Sequence, residues 1–144
     1  MSFDQITPEQ AHALADGDPK HTYLDVRSLP EFEAGHAPGA INVPLLHKGT
    51  AGMVPNPEFL AVVQANVAAE TPLVVGCKMG GRSARACELL AEAGFTALHN
   101  IDGGFSGRPG ATEESSRKGW EGSGLPTTLE APTETTYEHL KSKA

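Results

Sequence analysis

The sequence predicts an α/β fold: an open, mostly parallel central sheet with helices on both faces. Short runs of β-forming residues alternate with helical patterns over the first hundred residues or so. The strand predicted at residues 71–77 contains an unbroken Leu-Val-Val run, which is typical of strands buried on both faces of a parallel sheet. Ligands of such sheets bind beyond the carboxyl ends of the strands, so the residues that follow strands are the first candidates for function.

The first elements are defined by caps and turn residues. A helix is predicted to begin with Thr7 as its cap and Pro8 at its first position, and to end near Asp16. The segment HTYLDV, residues 21–26, predicts a short buried strand, and SLPEFEAG, residues 28–35, predicts a single helical turn. A loop rich in proline and glycine then leads into a short strand at residues 40–43.

The second group of elements surrounds the apolar strand at residues 71–77. HKGTAGMVP, residues 47–55, is predicted to be a loop, and a helix is predicted to follow it with Asn56 as its cap and Pro57 at its first position. A second helix is predicted from Arg82, with Gly94 as its C-terminal cap. The last predicted strand is FTALHNID, residues 95–102, after which two glycines turn the chain.

Length, charge and composition exclude several classes of protein. The 144 residues are enough for one domain with a core of its own, and the formal net charge of −7 argues against a general nucleic-acid binder. No segment approaches the ~20 apolar residues that a membrane span needs. Two cysteines do not make a disulfide framework, and the N-terminus lacks the pattern of a secretory signal. We therefore expect a cytoplasmic protein that uses neither nucleic acid nor membrane as a partner.

The segment LVVGCKMGGRSARACELLAEAGF, residues 73–95, carries the strongest signal for chemistry. It places Cys77 where a buried strand ends, with Gly80 and Gly81 before a predicted helix that begins at Arg82. The free N–H groups of a helix start and nearby cations stabilise a thiolate. The glycines allow successive N–H groups to face inward and form an anion-binding nest. The sequence therefore predicts a nucleophilic thiolate at Cys77, with Lys78 and Arg82 adding positive charge.

The alternative for Cys77 is a small apolar residue that ends a core strand, as buried cysteines often are. Its position at a junction between strand and helix, before Gly-Gly-Arg-Ser, favours function. Cys87 lies on the apolar face of the predicted helix, so core packing is favoured over a resolving thiol. No histidine pair has the spacing of metal ligands and no Cys-x-x-Cys is present, so we expect neither a metal nor a cofactor.

Several segments together resemble the single-domain rhodaneses, the thiosulfate sulfurtransferase-like proteins. The resemblance rests on YLDVRSLPEFEAGHAPGAINVP, on VVGCKMGGRSARACELLAEAGF, and on NIDGGF and GLPT, in that order. It spans roughly residues 7–127. The family motifs concerned are an early Asp-x-Arg with Gly-His-x-Pro-Gly-Ala, and an active-site loop Cys-x-x-Gly-x-Arg-Ser/Thr.

The resemblance implies a double displacement without a cofactor. The Cys77 thiolate attacks the outer sulfur of thiosulfate or a similar small anionic donor, sulfite leaves, and a Cys77 persulfide passes its sulfur to cyanide or a thiol. The resemblance also implies that backbone amides of the loop hold the persulfide and that Lys78 and Arg82 face the incoming anion. The residues of this loop are Lys78, Met79, Gly80, Gly81, Arg82 and Ser83.

Three further residues match the family pattern outside the loop. Asp25 and Arg27 are either a support for the loop or an ordinary ion pair near a strand end, and we favour the structural role. His36 matches the pattern as a scaffold residue.

The chain departs from the family pattern after its last predicted strand. Residues 106–122 form a longer, polar stretch than usual, in which Arg108, Arg117 and Lys118 either reach over the pocket as a lid or are solvated. The solvated role is favoured, since charged loops are mostly surface. We expect a rhodanese domain over residues 1–127, followed by a C-terminal tail at 128–144 that either wraps the surface or moves freely.

Two other functions stay open at this stage. A cysteine phosphatase or arsenate reductase also needs a thiolate in an anion nest, but the related phosphatases carry five residues between Cys and Arg, whereas this chain has four. The second alternative is a non-catalytic module, or a sulfur carrier serving an acceptor protein. Inactive relatives typically lack the loop cysteine, which this chain retains.

Overall fold

The central sheet has five parallel strands, which confirms the predicted fold class. The structure is a computed structural model that describes residues 3–17 and 19–144. Along the sheet the strands run in the order β1-β7-β6-β2-β3, and a separate antiparallel hairpin joins β4 to β5. In chain order the strands are β1 (Asp4–Ile6), β2 (Thr22–Asp25), β3 (Ile41–Asn42), β4 (Leu46–Gly49), β5 (Gly52–Pro55), β6 (Leu73–Gly76) and β7 (Leu98–Ile101).

Helices cover both faces of this sheet. The long helices each bury an apolar face. The first begins at the predicted cap, Thr7, in a capping box in which Thr7 and Gln10 each accept a hydrogen bond from the other's backbone N–H. In chain order the helices are α1 (Pro8–Ala15), α2 (Leu29–Glu33), α3 (Phe59–Asn66), α4 (Gly81–Glu92), α5 (Gly119–Gly122) and α6 (Tyr137–Lys141). Within the described residues, none has the length and apolar character to cross a membrane.

The core is divided by the sheet into two layers. Along β6 the buried side chains alternate, with Leu73 and Val75 facing one layer and Val74 the other. The first layer is filled mainly from α3, α4 and α6, and the second from α1, α2 and α5. All four residues of β6 are buried, as expected for a central parallel strand.

Two predictions about local structure are wrong, and one short strand has no counterpart among the predictions. Strand β1 was not predicted, because two of its three residues are polar and exposed at the sheet edge. Residues 47–55 are not a loop but most of the β4–β5 hairpin, in which Gly52 has the positive φ of 125° that the tight connection needs. Asn56 does not cap α3 directly: its side chain accepts from the N–H of Glu58, and the helix starts two residues later than expected, at Phe59.

The last third of the chain packs against the rest of the molecule. Trp120 is buried in the second layer beside α1, and Tyr137 and Leu140 of α6 are buried in the first layer beside α3. A 3₁₀ turn at Thr133–Thr135 precedes α6. Between the two alternatives for residues 128–144, the structure shows surface wrapping. The boundary at residue 127 stays a prediction.

Candidate active site

Cys77 lies directly after β6, at the edge where the carboxyl ends of the parallel strands meet. Its side chain is only 2% exposed, and its Sγ accepts a hydrogen bond from the N–H of Gly80, 3.1 Å away. The hydroxyl of Ser83 lies 3.3 Å from Sγ and 3.2 Å from the carbonyl oxygen of Gly80, so its single proton can serve either acceptor. The sulfur thus faces donors from its own loop, a setting that stabilises negative charge.

The loop closes around the sulfur because Gly80 adopts a left-handed conformation. Its φ is 118°, which L side chains rarely adopt, and it is the residue that leads into α4. The first N–H groups of α4, at Gly81, Arg82 and Ser83, have no acceptor within their own helix. These groups and the 12-residue helix behind them provide the positive end of a dipole beside Cys77.

A turn after β7 holds the backbone of the active-site loop in place through two hydrogen bonds. The N–H of Phe105 donates to the carbonyl oxygen of Cys77 at 2.8 Å, and the N–H of Ser106 donates to that of Lys78 at 2.9 Å. Gly104 passes so close that a Cβ there would overlap the carbonyl oxygen of Cys77 and the backbone of Lys78. The backbone at the start of the loop is therefore fixed by contacts more than 20 residues away in sequence.

The resemblance predicts that Arg82 faces the incoming anion, whereas in the structure its guanidinium is bound to a carboxylate of the protein. Its two terminal nitrogens donate to the two carboxylate oxygens of Glu31 in α2, at 2.7 and 2.9 Å. Glu31 also accepts from the N–H and hydroxyl of Ser28. The hydrogen bonds from Arg82 outweigh the effect of burial and lower the pKa of Glu31 to about 2. The positive charge of Arg82 is therefore already compensated within the protein.

Lys78 and Met79 point outward. Both side chains are exposed, and Lys78 makes no ion pair with any residue that the structure describes. Of the two predicted cations of the loop, only Lys78 therefore has no carboxylate partner among the described residues.

Asp25 and Arg27 form a buried ion pair behind the loop. Asp25 is in register with Gly76, next to Cys77, and its carboxylate accepts from the side chain of Arg27 at 2.8 Å. Arg27 also donates to the carbonyl oxygen of Gly35, and its guanidinium lies 4.3 Å from the centre of the Phe105 ring. The pair thus ties the end of β2 to the turn that supports Cys77.

His36 is buried and connects α2 to the C-terminal segment of the chain. One ring nitrogen lies 2.7 Å from the carbonyl oxygen of Phe32, and the other lies 2.8 Å from that of Glu130. The ring stacks on Phe32 with centroids 3.7 Å apart, and the backbone of His36 pairs with Thr128. These contacts fasten residues 128–130 to α2 and leave His36 no free nitrogen for chemistry.

Cys87 is embedded in the first core layer, as expected. It is fully buried, and burial raises the pKa of its thiol to about 12. Such a thiol stays protonated under ordinary conditions.

The two arginines of the polar stretch after β7 are neither a lid nor freely solvated. Arg108 and Arg117 both donate to the carboxylate of Asp102, at 2.7 and 3.1 Å, and their backbones pair with each other. Their hydrogen bonds lower the pKa of Asp102. Asp102 follows β7, and Arg108 and Asp102 line a cavity of about 340 Å³ beside Gly80 and Gly81. The polar stretch is therefore folded against the outside of the active-site loop.

Sequence reasoning found the loop itself but missed the groups that hold it. Glu31 is 51 residues from Arg82, and Asp102 and Gly104 lie beyond β7. The one local signal for Glu31 was its place three residues after Ser28, which is typical of a helix start. Among the residues described, no group of three or more His, Cys, Asp or Glu side chains is placed to hold a metal ion.

A buried cysteine that accepts from its own loop, at the carboxyl edge of a parallel sheet, can act as a nucleophile and carry a small anionic group. The model of the Rhodanese-like domain family matches residues 7–107. The chain therefore belongs to this family, which confirms the resemblance inferred from the sequence.

Individual relatives agree with this assignment. The chain is 44% identical over 107 residues to Thiosulfate sulfurtransferase 16, chloroplastic, of Arabidopsis thaliana. The aligned residues cover 74% of this chain and 79% of that protein. It is 41% identical over 86 residues to Protein HIGH ARSENIC CONTENT 1, mitochondrial, of the same plant, covering 60% and 51%. The crystal structure of Rv0390 from M. tuberculosis matches with a TM-score of 0.71 at 31% identity, covering 88% and 98%. Relatives of this chain thus include a named sulfurtransferase.

Proposed function

We propose that this protein is a sulfurtransferase that moves a sulfane sulfur from thiosulfate or a similar donor to cyanide or a thiol. The observation that supports this most directly is the position of the Cys77 Sγ, which accepts from the Gly80 N–H just before the first turn of α4. This N–H and the free N–H groups of the helix start stabilise a thiolate before the reaction and a terminal persulfide sulfur after it.

Each half of the reaction is a displacement at sulfur. The Cys77 thiolate attacks the outer sulfur of thiosulfate, the sulfur–sulfur bond breaks, and its electron pair leaves with sulfite. The product is a Cys77 persulfide anion, and total charge is conserved. Cyanide or a thiolate then attacks the terminal sulfur of the persulfide, and the Cys77 thiolate is regenerated as the leaving group.

The setting of Cys77 supports sulfur transfer over phosphoryl transfer. Only four residues separate Cys77 from Arg82, and Arg82 is engaged by Glu31. A tetrahedral phosphate or arsenate group needs a longer loop around it and a free guanidinium for its oxygens.

The proposal also includes a location and an acceptor. The two unpaired cysteines suggest a cytoplasmic location, and the acceptor thiol can be carried on a protein.

Intact-protein mass spectrometry after incubation with thiosulfate, without reductant, tests the proposal. We expect the protein to gain one sulfur atom and to lose it again on addition of cyanide. Cys77→Ser should gain none, and the matched control Cys87→Ala should gain it as the wild type does, because that thiol is sealed in the core.

Two outcomes would contradict the proposal. Sulfur gain that persists in Cys77→Ser would place the nucleophile elsewhere. Absence of sulfur gain in the wild type, together with turnover of p-nitrophenyl phosphate or arsenate in parallel assays, would assign the loop to the phosphatase or arsenate reductase class.

A further inference from the structure

The arginines nearest Cys77 in the sequence motifs are both bound to carboxylates. Arg27 is paired with Asp25, and Arg82 is paired with Glu31. Among the three cations that the sequence motifs place near Cys77, only Lys78 makes no ion pair with a residue that the structure describes. The entrance to the thiol is therefore much less positive than the sequence of the loop indicates.

Hydrogen bonds from two residues hold the Glu31 carboxylate in place. Its Oε1 accepts from the Ser28 N–H at 3.2 Å, from the Ser28 hydroxyl at 2.8 Å and from Arg82 at 2.7 Å, while Oε2 accepts from Arg82 at 2.9 Å. The Arg82 and Glu31 side chains are 18% and 23% exposed, so solvent screens the pair only in part. Two parallel N–H···O bonds give this pair a fixed geometry, which holds the guanidinium toward α2.

We propose that Glu31 is a positioning residue that determines donor specificity. By neutralising and orienting Arg82, it disfavours the thiosulfate dianion and favours donors of low charge, of the class of organic persulfides. This inference rests on the proposed sulfur transfer at Cys77 and narrows its substrate. It predicts that thiosulfate is the poorer of the two donor classes for the wild type.

The step with a persulfide donor balances without any co-reactant. The Cys77 thiolate attacks the terminal sulfur of R–S–SH, and the sulfur–sulfur bond of the donor breaks. Its electron pair leaves with R–S⁻, and the proton stays on the transferred sulfur. The products are a Cys77 persulfide and a thiolate, so no net oxidation or reduction takes place.

The test compares alkylation of Cys77 by iodoacetate and by iodoacetamide, two reagents of similar shape that differ by one negative charge. The ratio of their rates reports the potential at the sulfur, because any change in thiolate fraction affects both rates equally. Glu31→Gln keeps an oxygen for Ser28 but removes the charge that binds Arg82. We expect it to raise the ratio of iodoacetate to iodoacetamide rates about three- to tenfold, the effect of one partly screened charge.

Two variants separate a local charge effect from other causes. Glu88→Gln removes the same charge from α4, where Glu88 lies 3.9 Å from the exposed Arg85, and should leave the ratio unchanged. Glu31→Asp keeps the charge on a shorter arm and should stay near the wild type. Equal changes in both alkylation rates of Glu31→Gln, or a change no larger than that of Glu88→Gln, would overturn the role of Glu31.

Donor kinetics complete the test and separate it from the proposed function. We expect Glu31→Gln to raise kcat/KM for thiosulfate while kcat/KM for an alkyl persulfide changes little, and the wild type to prefer the persulfide. A wild type that prefers thiosulfate would refute the donor assignment while leaving sulfur transfer intact. A wild type that forms no Cys77 persulfide from either donor would refute both, whatever the alkylation ratio.

Discussion

Cys77 and Cys87 lie ten residues apart in the chain and are both buried, yet their surroundings assign them different chemistry. Cys77 ends a strand and accepts from the N–H of Gly80, so its sulfur is placed to carry negative charge. Cys87 faces the apolar layer between α4 and the sheet, where burial raises the pKa of its thiol. At the residue scale, the hydrogen-bond donors around each thiol decide which of them is suited to the proposed role of nucleophile.

Glu31 gives a prediction about acid stability. Its pKa in the folded protein is about 2, against 4.5 for an unperturbed side chain, so the folded state binds its proton less readily than the unfolded state. The stabilisation from Glu31 is therefore complete above about pH 4.5 and is lost as the pH falls toward 2.

Urea unfolding of the wild type and Glu31→Gln across this range measures the effect. We expect the wild type to be more stable at about pH 7, and the difference in free energy of unfolding to shrink by about pH 3. A difference that stays constant between these two conditions would show that the Glu31 carboxylate is not stabilised by Arg82.

The partners of Arg82 and Asp102 could not be predicted from the sequence. Motif spacing identifies residues that are neighbours along one helix or loop, whereas Glu31 reaches Arg82 from a different element. Two arginines in a polar stretch resemble ordinary surface charge until the fold brings them to Asp102. The sequence therefore identified the groups nearest the sulfur and could not identify what neutralises or supports them.

At the element scale, the turn after β7 determines the position of the active-site loop. Gly104→Ala adds a methyl group that overlaps the backbone of Cys77 and Lys78, so the loop must shift. Gly39→Ala is a matched control, because Gly39 also has a positive φ but open space where the methyl group would lie. Each change should cost about 1 kcal/mol of stability for the left-handed conformation.

Activity should separate these two glycine variants. We expect Gly104→Ala to lower the rate of Cys77 persulfide formation at least about tenfold, since small displacements of reacting groups are costly, and Gly39→Ala to leave it near the wild type. Single-turnover mass spectrometry with thiosulfate or a persulfide measures both rates. Equal rates in the two variants would show that the turn does not position the loop.

The elements that the sequence predicted are those with strong local signals. The capping box at Thr7 marks the start of α1, and the Leu-Val-Val run marks β6. The short edge strand β1 has no apolar pattern of its own and forms because Ile6 and its neighbours pair with β7. The β4–β5 hairpin pairs only with itself, and its glycines and proline concealed the alternation of a strand.

For the whole molecule, the last residues of the chain complete the first core layer. Tyr137 is buried beside α3, and its hydroxyl accepts from the side chain of Asn56. Tyr137→Ala should lower the free energy of unfolding by about 3–4 kcal/mol, the usual cost of emptying a buried aromatic site.

Leu129→Ala is the control for this change. Leu129 lies in the same C-terminal segment but is 73% exposed, so its replacement should alter stability by less than about 0.5 kcal/mol. Chemical denaturation of both variants checks the comparison. A small loss in Tyr137→Ala would mean that residues 128–144 contribute little to the fold in solution.

Because the side chains of Lys78 and Met79 point into solvent, both positions can be substituted during evolution. The backbone of Lys78 is anchored, since its carbonyl accepts from the N–H of Ser106, while the side chains of Lys78 and Met79 both lie in solvent. Mutation there can alter the charge and bulk that an arriving molecule meets without moving the Gly80 N–H that donates to the sulfur. If the proposed sulfur transfer takes place at Cys77, descendants of this sequence can therefore change which donors and acceptors they meet through these two positions and keep the reaction itself.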